Sequence, residues 1–560
     1  MELSNQTIIS FKTVRLIFLL IILFELLSFL GYFYPWLATA VFFILSGLVL
    51  VFSLIRLEYG LYFLLTELFV GSKGYLFHFD FAGISISLRL ALFLILIGVW
   101  LFRLIQSRFK LNFTRSFYSD GHFRSSPTEV GYGRQSRIPH SDVPIRQGHS
   151  DTLFGCANSS RPFGYAIRVL YFLFFIFLAW GVIRGLISKN SFDNLFFDAN
   201  GWLYFALAFI FFDLVVSERV IKNIFNLFLA SISFLALKTI ILFYLFSNQI
   251  EFLIAPLYRW IRLNGLGEIT QLVPFFSRIF LQSQIYLLIG FLLILTLWLT
   301  KKFNQPDKKS ALQPVLYSAC LSTALLISFS RSYWLGLGAG LIGLFLVLKF
   351  FQRLSWSKMF SAVGLIILIF VFAFDFIYLL VIFPSQASLT DFSGLVSQRF
   401  GLADEPAALS RWQQLGPLWQ TIKQRPLFGS GFGTIVTYQS QDPRAIAKSG
   451  GQYSTYAFEW GYLDIILKIG FAGLLAYLFL IYRIFKEGIM CLKSEIRNPK
   501  SEINSKFQTP NFKQQFVLGL LLGLIALIIT NITSPYLNHP LGIGYLMLCS
   551  AIFEKLKEPA

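Results

Sequence analysis

Leu365-Ile366-Ile367-Leu368-Ile369-Phe370-Val371-Phe372-Ala373-Phe374 is an unbroken apolar run, and charge touches its surroundings, 357–383, only at Lys358 and Asp375. About 20 such residues suffice to cross hydrocarbon as a helix. Comparable runs recur along all 560 residues, of which 56% are hydrophobic and 13% charged, with a mean hydropathy of +0.67. A soluble chain could not hide that much apolar surface. The composition predicts an all-α, polytopic membrane protein with about 12–14 transmembrane helices and one large extracytoplasmic loop. Apolar segments lie at roughly 14–33, 36–55, 57–71, 84–105, 165–187, 201–217, 220–247, 283–300, 312–330, 333–351, 357–383, 458–485, 514–533 and 538–553. Val14–Tyr34 is long enough to remain as a span, so no cleavable leader is expected.

The formal charge of +19, from 47 Lys and Arg against 28 Asp and Glu, has two readings: nucleic acid or membrane orientation. Location decides. With the N-terminus inside and the segments alternating, 31 basic residues fall inside, 13 outside, and Arg89, Lys238 and Lys468 within spans. That is the positive-inside bias, with both termini cytoplasmic and no nucleic-acid partner. Cys156, Cys320, Cys491 and Cys549 form no CxxC pair, so neither a disulfide framework nor a zinc site is expected.

Five regions follow. Residues 1–106 hold N-terminal spans. Residues 107–164, rich in Ser, Gly, Arg and Pro without helical period, read as a disordered cytoplasmic insert. Residues 165–383 hold central spans around an outer loop at 248–282, and 384–457 form the large outer loop. Its Trp412, Trp419, Phe428 and Phe432 predict a folded cap. Residues 458–560 are C-terminal spans with a cytoplasmic linker at 486–513, where Lys493-Ser494-Glu495-Ile496 repeats as Lys500-Ser501-Glu502-Ile503.

The outer loops gather arginines: Arg259, Arg262 and Arg278 in the first, Arg331 at a span end, and Arg399, Arg411, Arg425 and Arg444 in the second. At the edge of hydrocarbon a guanidinium needs an anion, and its planar fork fits phosphate oxygens. Lipid headgroups, or ion pairs with Glu268, Asp391, Asp404 and Glu405, would serve equally. Arg331 lies in Ser330-Arg331-Ser332-Tyr333-Trp334, ahead of Gly336, Gly338, Gly340 and Gly343, which allow close helix packing. Arg425-Pro426-Leu427-Phe428-Gly429-Ser430-Gly431-Phe432-Gly433 reads as a tight turn whose Gly429 and Gly431 let backbone approach a ligand. It lacks the GK[ST] of a nucleotide loop. Glu459-Trp460-Gly461-Tyr462-Leu463 closes the loop, and Gly470 and Gly473 follow.

Ser330-Arg331-Ser332, the Pro426–Gly433 turn, and Gly461-Tyr462-Leu463 with Gly470 and Gly473, in this order around one outer loop, resemble the O-antigen ligase and O-antigen polymerase superfamily. Arg278-Ile279-Phe280 resembles that family's arginine ahead of an upstream span. The resemblance covers about 270–485. It implies a C-type, metal-independent glycosyltransferase without cofactor in the bacterial cytoplasmic membrane. The implied donor is a polyprenyl-diphosphate-linked glycan, and the acceptor a glycan, lipid A-core or protein, among membrane lipids. Arginines that hold the diphosphate carry onto Arg278, Arg331 and, more loosely, Arg411. Substrate-binding candidates are thus Arg278, Arg411, Arg259, Arg262, Arg425, Gly429 and Gly431; catalytic candidates are Arg331 and Glu459.

One departure stands out. The family's His-Asn falls eleven residues before the glycine matching Gly470, where this chain has Glu459-Trp460. A carboxylate there could act as general base, or simply pair with Lys468 or Arg444. Glycan transfer to an acceptor hydroxyl, as ligase or polymerase, competes with a lipid-linked sugar flippase and with a non-catalytic scaffold. A flippase needs more intramembrane charge than Arg89, Lys238, Lys468, Asp213 and Asp375 supply.

Overall fold

The computed structural model describes residues 2–3, 6–7, 10–81, 84–119, 162–273, 276–304, 312–385, 406–441, 443–496 and 512–557. The first helices are α1 (Phe11–Phe33), capped by Ser10, then α2 (Pro35–Ile55), α3 (Leu57–Val70), α4 (Leu88–Ser119) and α5 (Pro162–Ile187). Next come α6 (Phe192–Asn200), a 3-10 turn (Gly201–Leu207), α7 (Ala208–Leu214), α8 (Glu218–Ser247) and α9 (Glu251–Leu263). The centre holds α10 (Ile285–Asn304), α11 (Leu312–Ile327), α12 (Arg331–Leu346) and α13 (Trp356–Ser385). Last are α14 (Pro406–Gln424), α15 (Pro443–Ser449), α16 (Gly461–Ile496), α17 (Phe512–Thr530) and α18 (Pro540–Lys557).

The apolar segments expected from the sequence are helical over most of their length, except that Ile84–Ser87 is a strand and Gly201–Leu207 a 3-10 turn. Among the described residues, 11 helices are long and apolar enough to cross a membrane, counting Phe192–Leu214 as one, while Leu312–Ile327 is apolar but shorter. The helical backbone of α4 continues to Ser119 and that of α5 begins at Pro162, so helix reaches into both ends of the 107–164 segment. Its remainder, Asp391, Arg399, Asp404 and Glu405, and most of the 486–513 linker lie outside the described residues.

α10 is the axis of the bundle, with 94% of its apolar window buried, whereas only 17% of α13 is buried. α17 packs on both α10 and α12. A Cβ on Gly336 would sit 2.8 Å from the Ala526 carbonyl of α17, so the glycines after Arg331 set the α12–α17 approach. The described parts of both loops carry secondary structure too. In 248–282, α9 is followed by the antiparallel hairpin Gly267–Val273/Phe276–Leu281. The described part of 384–457 holds α14, the hairpin Val436–Gln439/Gln452–Thr455, and α15.

Charges inside the bundle are matched. Arg89 forks onto Glu67 at 2.8 and 2.9 Å, and Lys238 reaches both oxygens of Glu25 at 2.8 and 2.9 Å. Lys468 pairs with Asp198 and, at 2.7 Å, with Asp464. Losing one partner strands the other charge in an apolar medium, whereas losing both leaves only a packing defect. Lys238→Met should therefore destabilise the bundle by about 3 kcal/mol, and adding Glu25→Gln should restore most of the loss. Detergent-unfolding curves of purified protein in micelles measure both; an additive double mutant would contradict the assignment.

Candidate functional site

Three segments far apart in sequence meet at one end of the bundle. Arg278 projects from the Phe276–Leu281 strand, its Nε donating to the Ser328 carbonyl at 2.9 Å and its guanidinium lying 5.0 Å over the Phe280 ring. Ser328 belongs to the tight turn between α11 and α12, where Phe329 takes a left-handed conformation at φ 46°. That turn delivers Arg331 as the first residue of α12. Around it, Ser330 and Ser332 hydroxyls lie 2.9 Å apart and Ser534 donates to Ser332 at 3.0 Å. Beneath, the buried Tyr333 stacks on Phe280 and hydrogen-bonds Tyr536, whose hydroxyl donates to the Gln282 carbonyl at 3.0 Å.

A cation at a helix N-terminus opposes the helix dipole, by roughly 0.3–1 kcal/mol. Here the opposition is compounded. Burial pushes the Arg278 guanidinium below its ordinary range, and the Arg331 charge adds to the shift against Glu268, Tyr333 and Tyr536. Arg411, on α14, is lowered to about 10, first by burial and then by Arg278 and Arg331, with Glu268 opposing. Each of these three arginines thus lies in the field of the others. Arg411 also forms an ion pair with Glu459. The Trp460 indole donates to the Arg411 carbonyl at 2.9 Å, and Trp412 meets Trp460 edge-on at 5.4 Å.

The other candidates are distributed differently. Arg262 pairs with Glu268 at 3.2 Å and so adjoins the cluster through a shared acid. Arg259 is exposed on α9, and Arg425 is exposed, donating to Ser188 at 3.0 Å. Glu459 pairs with Arg411, not with Lys468, which is committed to Asp198 and Asp464; the Arg444 side chain lies outside the described residues.

Gly429 and Gly431 face protein backbone. α16 is broken at Gly470, which adopts φ 74°. Such a break orphans carbonyls before it and N–H groups after it. The Pro426–Gly433 turn supplies the partners: Ser430 and Gly431 N–H donate to the Leu467 and Lys468 carbonyls at 2.7 and 3.1 Å. Phe471 and Ala472 N–H donate to the Pro426 and Leu427 carbonyls at 2.9 and 3.1 Å. A Cβ on Gly429 or Gly431 would strike Lys468 or Gly185 backbone within 2.6 Å. The Gly433 N–H donates to Asp198 at 2.8 Å, joining the turn to the Lys468 cluster. The sequence reading missed this cluster and the Tyr333–Tyr536 pair. Only the i, i+4 spacing of Asp464 and Lys468 signalled part of it.

Residues 316–478, from α11 into α16, match the family model described as O-Antigen ligase. Over this segment the chain is similar to the O-antigen ligases. The match covers under a third of the chain and includes Arg331, Arg411, Arg425, the glycine turn and Glu459, while Arg278 precedes it. No curated protein matches the chain. The glycine turn and the helix break both lie within the matched segment.

Gly470→Ala tests the break directly. Its Cβ would lie 2.1 Å from the Leu427 carbonyl and φ would be strained, so a loss of at least ~2 kcal/mol is expected. Unfolding in micelles and protease sensitivity of the 426–433 turn measure it; a fully stable, protected variant would refute the docking account.

Proposed function

We propose that the protein transfers a glycan from a polyprenyl-diphosphate donor to an acceptor hydroxyl. The observation that carries this reading is the convergence of Arg278, Arg331 and Arg411, from a hairpin, a helix start and the cap, into one positive field. Guanidinium forks grip phosphate oxygens in pairs, so the cluster suits the diphosphate. Glu459 takes the proton of the acceptor hydroxyl, whose oxygen bonds to the anomeric carbon. The bond from that carbon to the diphosphate oxygen breaks, and the leaving group departs with its added negative charge among the arginines. Fixed positive charge placed where negative charge develops stabilises such a step.

Arg411 has two anions to serve. Without donor it holds Glu459; with donor it turns in part to the diphosphate, which raises the basicity of Glu459 when a base is required. The acceptor is a glycan, lipid A-core or protein, and the product a ligated or extended surface polysaccharide.

In this reading the site faces the outer side of a bacterial cytoplasmic membrane, with both termini inside. Its support is the opposite end of the bundle, where Lys301, Lys302, Lys349, Arg353, Lys513, Lys555 and Lys557 collect at the far ends of α10, α12, α17 and α18. In a cysteine-free background, an impermeant maleimide should label the exposed Lys448→Cys in intact cells and Lys486→Cys only after permeabilisation. The reverse pattern would invert the topology.

Arg331→Lys keeps the charge but loses the fork, so transfer in proteoliposomes should fall about 10²-fold with normal insertion. Arg278→Ala should act in the same direction, and the double mutant should lose much less than the product of the two. Glu459→Gln should lower kcat far more than donor binding. Normal turnover in Glu459→Gln with a dead Arg331→Lys would remove the base and keep the diphosphate site. Normal turnover in both would remove the site.

A further inference from the structure

α14 buries one face and leaves the other bare. Gln414, Leu418 and Ile422, spaced by four, are buried: the two apolar ones against Val436, Phe458, Ile466 and Leu467, and Gln414 donating to the Tyr438 hydroxyl at 2.8 Å. The opposite stripe runs Trp412, Gly416, Trp419, Gln420 and Lys423, all exposed, with Trp412 at 57% and Trp419 at 41%. A Cβ built on Gly416, between the two indoles, meets no atom within 4 Å. We propose that this stripe is a platform for the pyranose rings of a glycan, a reading that rests on the transfer function above.

Two large indoles left in the open beside a site have a purpose when a ligand covers them. Their flat faces suit a ligand that is apolar on one side and polar on its rim. A pyranose ring is of that kind: its C–H face stacks on an indole while its hydroxyls reach Gln420 and Lys423. Seven residues separate Trp412 from Trp419, about 10 Å along the helix, room for more than one ring. The platform is continuous with the site: Arg411 adjoins Trp412, and Trp412 meets Trp460, the neighbour of Glu459. A sugar chain leaving the arginine cluster therefore has an aromatic path to follow.

Tryptophan also anchors proteins at the membrane interface. The composition of the stripe argues against that use, since Gly416, Gln420 and Lys423 offer acyl chains nothing to bury. α9 shows the contrast, exposing Phe252 at 77% and Leu263 at 72% beside Arg259 and Arg262, the pattern of an interfacial helix.

The test uses full-length protein in nanodiscs and, as probe, the oligosaccharide freed by mild acid from the host's lipid-linked glycans. Trp412→Ala and Trp419→Ala should each weaken its binding roughly tenfold, and Trp412→Phe should retain most of it, by analogy with aromatic stacking of nucleobases. In transfer assays KM should rise with kcat nearly kept. A rise for the donor assigns the platform to the donor glycan, and a rise for the acceptor assigns it to the acceptor. Unchanged binding and KM in both alanine variants would overturn the platform. So would quenching of both indoles by brominated lipids with sugar affinity intact. Either result leaves the transfer reading standing if Arg331→Lys is dead, whereas probe binding is measured without turnover and survives a failure of that reading.

Discussion

The break in α16 at Gly470 is the constraint on which the site depends. A helix interrupted inside a bundle must find partners for its stranded backbone groups, since no water is at hand to take them. The Pro426–Gly433 turn supplies them on both sides of the break, and the turn follows α14 directly. Filling the gap therefore fixes where α14 ends. Leu418 and Ile422, buried with Ile466 and Leu467, and the Trp460 bond to the Arg411 carbonyl fix the rest of the helix. The position of Arg411 is thus a consequence of a backbone hydrogen-bonding requirement several residues away. Lys468, two residues before the break, with Asp198 and Asp464, fastens the same joint to α6 through Gly433.

Two kinds of charge occupy the bundle and behave oppositely. Arg89 with Glu67, and Lys238 with Glu25, are closed pairs whose hydrogen bonds run to each other. Their charges are neutralised within each pair. At the other extreme, Arg278, Arg331 and Arg411 raise one another's electrostatic energy, and a helix N-terminus adds to the sum. Glu459, paired with Arg411, and Glu268 offset part of it, and Glu268 is shared with Arg262. The surplus positive charge is local, and it coincides with the segments contributed by the hairpin, α12 and the cap.

The spans were legible because their signal is local: an apolar run long enough to cross hydrocarbon reads the same in any context. Arg278, Arg331 and Arg411 were legible because each sits beside a feature with its own sequence signature, a span edge, a glycine stripe or an aromatic cap. What sequence could not supply was pairing across distance. Glu25 and Lys238 are 213 positions apart, and Asp198 and Lys468 are 270 apart. The glycine turn shows a different failure. Gly429 and Gly431 correctly signalled close backbone approach, but glycine does not encode what approaches, and here α16 and α5 do. The 201–217 span began too late for a similar reason: Asp193, Asp198 and Asn200 broke the apolar run, yet Asp198 is buried with Lys468 and the helix starts at Phe192.

The residue at 459 and its partner are best understood together. An uncharged imidazole at this place would need no counter-ion in a half-buried site, whereas a carboxylate does. Arg411 provides it, and the Trp460 indole holds the backbone of Arg411 in reach. Glu459 is therefore half of an ion pair whose other half, Arg411, belongs to the arginine cluster. In the transfer proposed above, Glu459 and the diphosphate compete for this one guanidinium, so the proposed base and the proposed anion site form a single constellation.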